Sequence, residues 1–334
     1  MSQARQSAAS TEAATESVLE DTRRANLARL FKPRSIAVVG ASADSAKAGS
    51  QALKTLSRFP GKLVCVHPRE TEIQGFTCYP SFADLPEPVD LAVLAIPAQH
   101  CVKAAAEAAE RGVGGVFIVS GGFGETGARG AKLQDALGEI CARTGLRLLG
   151  PNTSGFVNPA AGCIASFVPG VDTIGTGHVS VVAQSGGVNL SLGYLLDRLG
   201  EGVSIAAGLG NAVDVGTRDM LDLLAEDENT RAIALHLEGV TDGRALFETL
   251  KRVTPRKPVA AVVAGRADIG EFAVSHTCNL MGSRERTVAA LTQAGAVVVD
   301  TLDELAQAAA VFSRRRLQPK ASNAMALITG QAGP

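Results

Sequence analysis

SIAVVGAS, residues 35–42, is a short aliphatic run that ends on glycine and two small residues. Such a run reads as a buried strand that delivers the chain through a tight turn to a helix N-terminus, the opening of a nucleotide-binding-type unit. The same arrangement recurs as HVSVVAQSGG (178–187) and as AMALITGQAGP (324–334). Three openings in one chain predict three such units, and the third is only begun.

Outward from residue 42 come the apolar runs KLVCV (62–66), DLAVLAI (90–96), GVFIVS (115–120) and LRLL (146–149). Alanine-rich amphipathic stretches lie between them near 47–58, 99–111 and 128–144. Strand alternating with helix implies a parallel sheet with right-handed crossovers. The second opening is followed by VSIAAG (203–208), RAIALHL (231–237), PVAAVVAG (258–265) and AVVVD (296–300), with helices near 187–199, 217–226, 242–253, 283–294 and 302–315. The fold class is therefore α/β: two doubly wound parallel-sheet domains with the start of a third. Residues 1–24, polar and rich in Ala, Ser and Thr, read as a disordered tail; 25–159 form the first domain, 160–316 the second, and 317–334 a linker and first strand of the third.

Composition narrows the partners. The chain has 334 residues, 46% hydrophobic, with 36 glycines and 4% aromatics, which suits two cores built from short aliphatic strands. Lys plus Arg is 32 against 33 Asp plus Glu, so no global field favours nucleic acid or an anionic membrane. No apolar run approaches the roughly 20 residues that span a bilayer. The six cysteines (Cys65, Cys78, Cys101, Cys141, Cys163, Cys278) show neither C-x-x-C pairs nor metal-ligand spacing, which predicts reduced thiols, a cytoplasmic protein and no metal site.

Ligands of a doubly wound sheet collect at the carboxyl ends of its strands. In the second domain those ends carry Gln184, Ser185, Gly186 and Gly187, then Gly210 and Asn211, then Glu238, then a loop from Arg266 to Gly282 that holds His276. About seventeen residues is long for a strand-to-helix connection and marks function. Taken singly, Glu238 suits a solvated or capping carboxylate, Asn211 a left-handed turn, Ser185 an N-cap and His276 a surface residue. Together they suit a nucleophilic histidine. Glu238 would hold one ring N–H and leave the other nitrogen to attack a phosphoryl group, whose oxygens would meet the amides of Ser185, Gly186 and Gly187 at a helix N-terminus. The loop would be long so that it can move.

In the first domain the turn GASADSAKAGS (40–50) lacks the second glycine of G-x-G-x-x-G, and His67-Pro68-Arg69 stands where a dinucleotide enzyme places an acidic residue. Both departures count against NAD. Lys47 and the basic residues after the second strand suit a phosphate-rich ligand such as coenzyme A, although Lys47 also fits a solvated first-turn position.

SIAVVGAS with Lys47 and Gly49, YPSFADLPEPVDLAVLAIPA, SGGFGETG, LLGPNTSGFVNP, VVAQSGG, GLGNAVDV, LEGV and SHTCNLMG stand in an order that resembles the NDP-forming acyl-CoA synthetases, relatives of the succinyl-CoA synthetase α subunit. The resemblance runs from about Leu27 to the last residue. It implies a Rossmann-like CoA-binding domain with Gly40, Ala41, Ser42, Lys47, Pro68 and Pro97 at the cofactor, then a flavodoxin-like ligase domain. There it implies a phosphohistidine at His276, a supporting Glu238, a phosphate cradle of Gln184, Ser185, Gly186, Gly187 and Asn211, and acyl contacts at Asn152 and Thr153.

The partners it implies are CoA, a small carboxylic acid, an ATP-grasp domain or subunit that brings ATP/ADP and Mg²⁺, and an oligomeric assembly. Cys278, Asn279 and Met281 depart from the S-H-T-G-S-L-A-G pattern, and Thr153 replaces the cysteine of G-P-N-C-x-G; both changes bear on acyl specificity. No ATP-grasp segment is legible, and a lone terminal strand is an aggregation hazard, so the expectation is a truncated piece of a longer protein. Two other readings compete: a non-catalytic CoA-binding regulator of the same fold and, last, a nicotinamide-linked dehydrogenase.

Overall fold

The run at residue 35 forms β1 (Ser35–Val39), which lies in the first sheet between β2 (Lys62–Val66) and β5 (Leu91–Leu94) and pairs parallel with both. A computed structural model describes residues 2–265 and 283–314, with side chains from residue 17 onward. The sheet runs β3 (Glu72–Ile73), β4 (Phe76–Tyr79), β2, β1, β5, β6 (Gly115–Ile118), β7 (Arg147–Leu149). It is parallel except at β3, which returns antiparallel on β4. Residues 91–94 and 115–118 are buried throughout, because helices cover both faces of a parallel sheet. Those helices are α2 (Ala48–Leu56), α3 (Ala98–Glu110) and α4 (Ala128–Thr144).

The second sheet follows the order β14 (Val297–Val299), β13 (Val259–Val263), β12 (Ala232–Leu237), β10 (Val179–Ala183), β11 (Ala206–Gly208), β8 (Gly155–Asn158), β9 (Cys163–Ser166). Its first five members are parallel; β8 and β9 add an antiparallel ribbon. Around it pack α5 (Gly186–Arg198), α6 (Thr217–Glu226), α7 (Gly243–Val253), α8 (Arg284–Gln293) and α9 (Leu302–Arg314). Two sequence expectations change here. Residues 155–158, read as the end of the first domain, hydrogen-bond into the second sheet through β11, so sheet membership changes before residue 159.

The expected tail is a helix, α1 (Ser2–Phe31). Its apolar residues crowd the last turns, where Leu27, Leu30 and Phe31 are buried, so composition over the first twenty residues hides the helix. Arg23 reaches Asp214 at 2.6 Å, Arg29 reaches Asp90 at 2.7 Å and Lys32, just past the helix, reaches Asp227 at 2.6 Å, so this helix end is tied to both domains. The linker and third-domain strand expected at 317–334 lie outside the described residues.

Candidate functional site

In each sheet the strand that opens the unit has its successor on one side and a later strand on the other, which creates a crevice at its carboxyl end. β10 lies between β11 and β12, and the chain leaves it through Gln184 and Ser185 into α5. Ser185 is the N-cap; its Oγ accepts the N–H of Val188 at 3.4 Å. Gly186 and Gly187, the first two helical residues, keep amides that no acceptor among the described residues takes. A Cβ on Gly186 would meet the Ser154 nitrogen at 2.8 Å, so close packing demands glycine there. At Gly187 the nearest atom would be the Ser185 Oγ at 3.9 Å, and the open side is the crevice itself. Two free donors and the positive end of the helix dipole thus face a cavity of about 620 Å³.

That cavity brings together Asn152, Thr153, Gln184, Ser185, Gly186, Gly187, Asn211 and Glu238, eight of the residues named from sequence. Their side chains divide the work differently from expectation. Gln184 accepts the N–H of Glu238 in a short hydrogen bond and that of Gly239 at 2.9 Å, while its Nε2 donates to the Gly239 carbonyl at 2.7 Å. With its Oε1 doubly engaged and one of its two Nε2 hydrogens given to Gly239, Gln184 clamps the turn that carries Glu238 and keeps a single side-chain N–H. Asn211 is likewise committed: its Nδ2 donates to Glu125 Oε2 at 2.6 Å and Gln134 Oε1 at 2.9 Å. Thr153 is buried, with its hydroxyl donated to the Gly208 carbonyl at 2.5 Å. Asn152 is exposed and left-handed, φ 59°, with Nδ2 3.4 Å from Asn211 Oδ1. At the helix start the Gly186 and Gly187 amides are donors that no acceptor among the described residues engages.

Glu125 was not singled out from sequence. Burial alone would raise its carboxyl, but the Asn211 amide and the Gly122 and Phe123 N–H groups outweigh burial and hold it below the usual carboxylate range. It reaches from the first domain to a residue of the second-domain cavity. The signal was present in SGGFGETG, whose three glycines ahead of an acid free the amides that bind it.

His276, with the whole 266–282 loop, lies outside the described residues. In the first domain, a smaller crevice of about 390 Å³ at the carboxyl ends of β1 and β2 is lined by Gly40 and Pro68 together with His67, His100 and Lys103. Gly40 has φ 82°, and a Cβ there would meet the Ala95 oxygen at 2.4 Å, so only glycine allows the backbone this turn. Gly49 packs α2 against it, where a Cβ would meet the Gly40 oxygen at 2.0 Å. The His67 Nδ1 accepts the Glu70 N–H at 3.0 Å, which leaves the proton on Nε2. Ala41 is buried, Ser42 half-buried, and Lys47 and Pro97 are exposed beside this crevice without lining it. His100, Lys103 and Glu107 line this crevice from α3, with Lys103 3.6 Å from Glu107; the approach of α3 to β1 depends on strand order. Burial pushes the Cys65, Cys101 and Cys141 thiols up to about 12, which leaves them no thiolate at neutral pH.

Residues 34–159 match the family model described as a CoA binding domain, and residues 176–312 match the succinyl-CoA ligase like flavodoxin domain. The α subunit of ADP-forming acetate–CoA ligase I of Pyrococcus furiosus is 36% identical over 314 residues, 91% of this chain and 67% of that one. The chain belongs to the NDP-forming acyl-CoA synthetase family. Other members at comparable distance are the ligase II α subunit of the same organism (38% identical, 91% of this chain and 66% of that one) and the ADP-forming acetate–CoA ligase I of Archaeoglobus fulgidus (38%, 92% and 44%).

An acetyl-CoA synthetase of Ca. Korarchaeum cryptofilum, solved with phosphate and ADP, superposes with a TM-score of 0.80 at 33% identity, over 86% of this chain and 62% of that one. This synthetase-family chain spans about two thirds of the length of its α-subunit relatives and less than half of the Archaeoglobus ligase. Among the described residues, no helix is long and apolar enough to cross a membrane.

Proposed function

We propose that this chain is the CoA-binding, phosphohistidine-carrying part of an NDP-forming acyl-CoA synthetase. ATP and Mg²⁺ would be handled by an ATP-grasp module supplied from outside this sequence. The observation that carries the reading is the larger cavity, where the free amides of α5, the turn of Glu238 and Asn152 from the end of the CoA-binding domain meet.

In the forward direction an ADP leaving group departs from the γ-phosphorus as a His276 ring nitrogen bonds to it. Glu238 holds the opposite N–H, and the Gly186 and Gly187 amides receive the phosphoryl oxygens. A carboxylate oxygen of the acid then takes the phosphoryl group from the nitrogen, forming an acyl phosphate and restoring the imidazole. The CoA thiolate attacks the acyl carbon, the C–S bond forms, and phosphate leaves with the C–O bonding pair.

The reverse half needs no nucleotide. Acyl-CoA and ³²P-labelled phosphate should place acid-labile, base-stable label on the wild-type chain and none on His276→Asn. Equal labelling of the His276→Asn protein would refute the assignment. A chain that binds CoA yet takes no label, alone or with an ATP-grasp partner and ATP, would be a CoA-binding regulator.

A further inference from the structure

The larger cavity has two chemically different ends. One is the polar end just described, at the start of α5. The other is apolar, formed by Phe167 and Val168 from the segment after β9 and by Leu190 and Tyr194 from α5. Gly187, Leu190, Ser191 and Tyr194 all line the cavity and recur at helical spacing, so one face of α5 runs along it from polar end to apolar end. Seven residues of helix rise by about 10 Å. A carboxylate placed at the free amides therefore has its tail directed along that face, and a two-carbon acid leaves the apolar half empty.

Charge sharpens the reading. Among the described lining residues Glu238 is the one charged side chain, and it is acidic. A second carboxylate on the tail would lose water in the apolar half, where the described lining offers it no cation. Resting on the catalytic reading above, we infer that the acid is a monocarboxylate with an apolar tail of up to about 10 Å, and that Val168, Leu190 and Tyr194 set this preference. Aryl and medium-chain alkyl acids share that chemistry.

The test compares acetyl-, octanoyl-, phenylacetyl- and succinyl-CoA as donors with labelled phosphate, reading the rate of phosphohistidine formation on the full chain. Octanoyl- or phenylacetyl-CoA is expected to label at least tenfold faster than succinyl-CoA, and the two arms separate chain from ring. Ser191→Phe adds a ring at an exposed helix position on the cavity wall and should lower the ratio of long-tail to acetyl labelling at least tenfold. Val168→Phe, on the opposite wall, repeats the test independently of α5.

Succinyl-CoA labelling as fast as the apolar donors, or a ratio unchanged in both variants, would overturn the inference and leave the catalytic reading standing. If no donor labels the chain, the catalytic reading fails instead. Saturation-transfer NMR with phenylacetate, octanoate and succinate then decides: binding of the apolar acids alone, lost in Ser191→Phe, upholds the cavity assignment, and equal or absent binding refutes it.

Discussion

Gly186 and Gly187 are neighbours of the same type held for different reasons. Gly186 is required by the Ser154 backbone against it, so Gly186→Ala should destabilise the fold. Gly187→Ala meets only open cavity; it should raise thermal stability through the alanine's better helix propensity, by up to about 1 kcal/mol, while phosphohistidine labelling falls because the methyl stands where a phosphoryl group would lie. Melting curves and labelling of the two variants should therefore move in opposite senses for Gly187→Ala and in the same sense for Gly186→Ala.

His236, buried on β12 two residues before Glu238, has an Nδ1 without a partner and is pushed down from 6.5 to about 4 by burial. A depressed histidine contributes stability that is fully present above pH 6.5 and is lost as pH falls toward 4, since the unfolded chain binds the proton first. This contribution is on the order of 3 kcal/mol. Denaturant titrations across that window should show the loss, and His236→Leu should flatten it.

At the scale of elements, α1 and β7 meet the loop that leads to α6 through a buried ion network. Arg147 on β7, 3% exposed, bonds Asp214 at 2.8 Å and Asp219 at 2.5 Å, and Arg23 from α1 bonds the other oxygen of Asp214. The two cations and two carboxylates balance, which is how so buried an arginine is tolerated. Arg147→Met leaves Asp214 with Arg23 and the Leu148 N–H but removes the buried cation between it and Asp219, and urea denaturation should show a loss of about 3 kcal/mol. The same loop carries Asn211, so Glu125, Gln134 and Arg147 of the first domain all fix one segment of the second.

For the whole molecule, the two domains behave as one body where they touch. Phe31 packs edge-to-face on Phe156 at 4.9 Å, Thr55 Oγ1 donates to the Ser166 carbonyl at 2.5 Å, and Lys32 reaches Asp227, which Ser204 and Thr230 also bond. Unfolding should follow a single transition by fluorescence of the two tyrosines and by circular dichroism alike. Lys32→Met together with Arg23→Met should split it, since each removes from a buried second-domain carboxylate its partner at the end of α1 or just past it.

The strands at 35–39, 179–183, 232–237 and 259–263 and most helices were legible because each repeats a local pattern, aliphatic run or 3.6-residue period, over its whole length. The turn at Gln184–Gly187 into α5 was legible for the same reason, as a strand end followed by small residues. Other features depend on contacts between distant residues. That the helix end docks rests on three apolar residues and three ion pairs to positions 61 to 195 residues away. That β8 leaves its own domain rests on its partner β11. That Gln184 and Asn211 serve as clamps rests on which acceptors the fold brings to their amides. Periodicity and turn chemistry act within a few residues and determined which elements form; hydrogen bonds and desolvation act on whatever lies within 3 Å in space, and only the assembled sheets decided which groups remain free to bind.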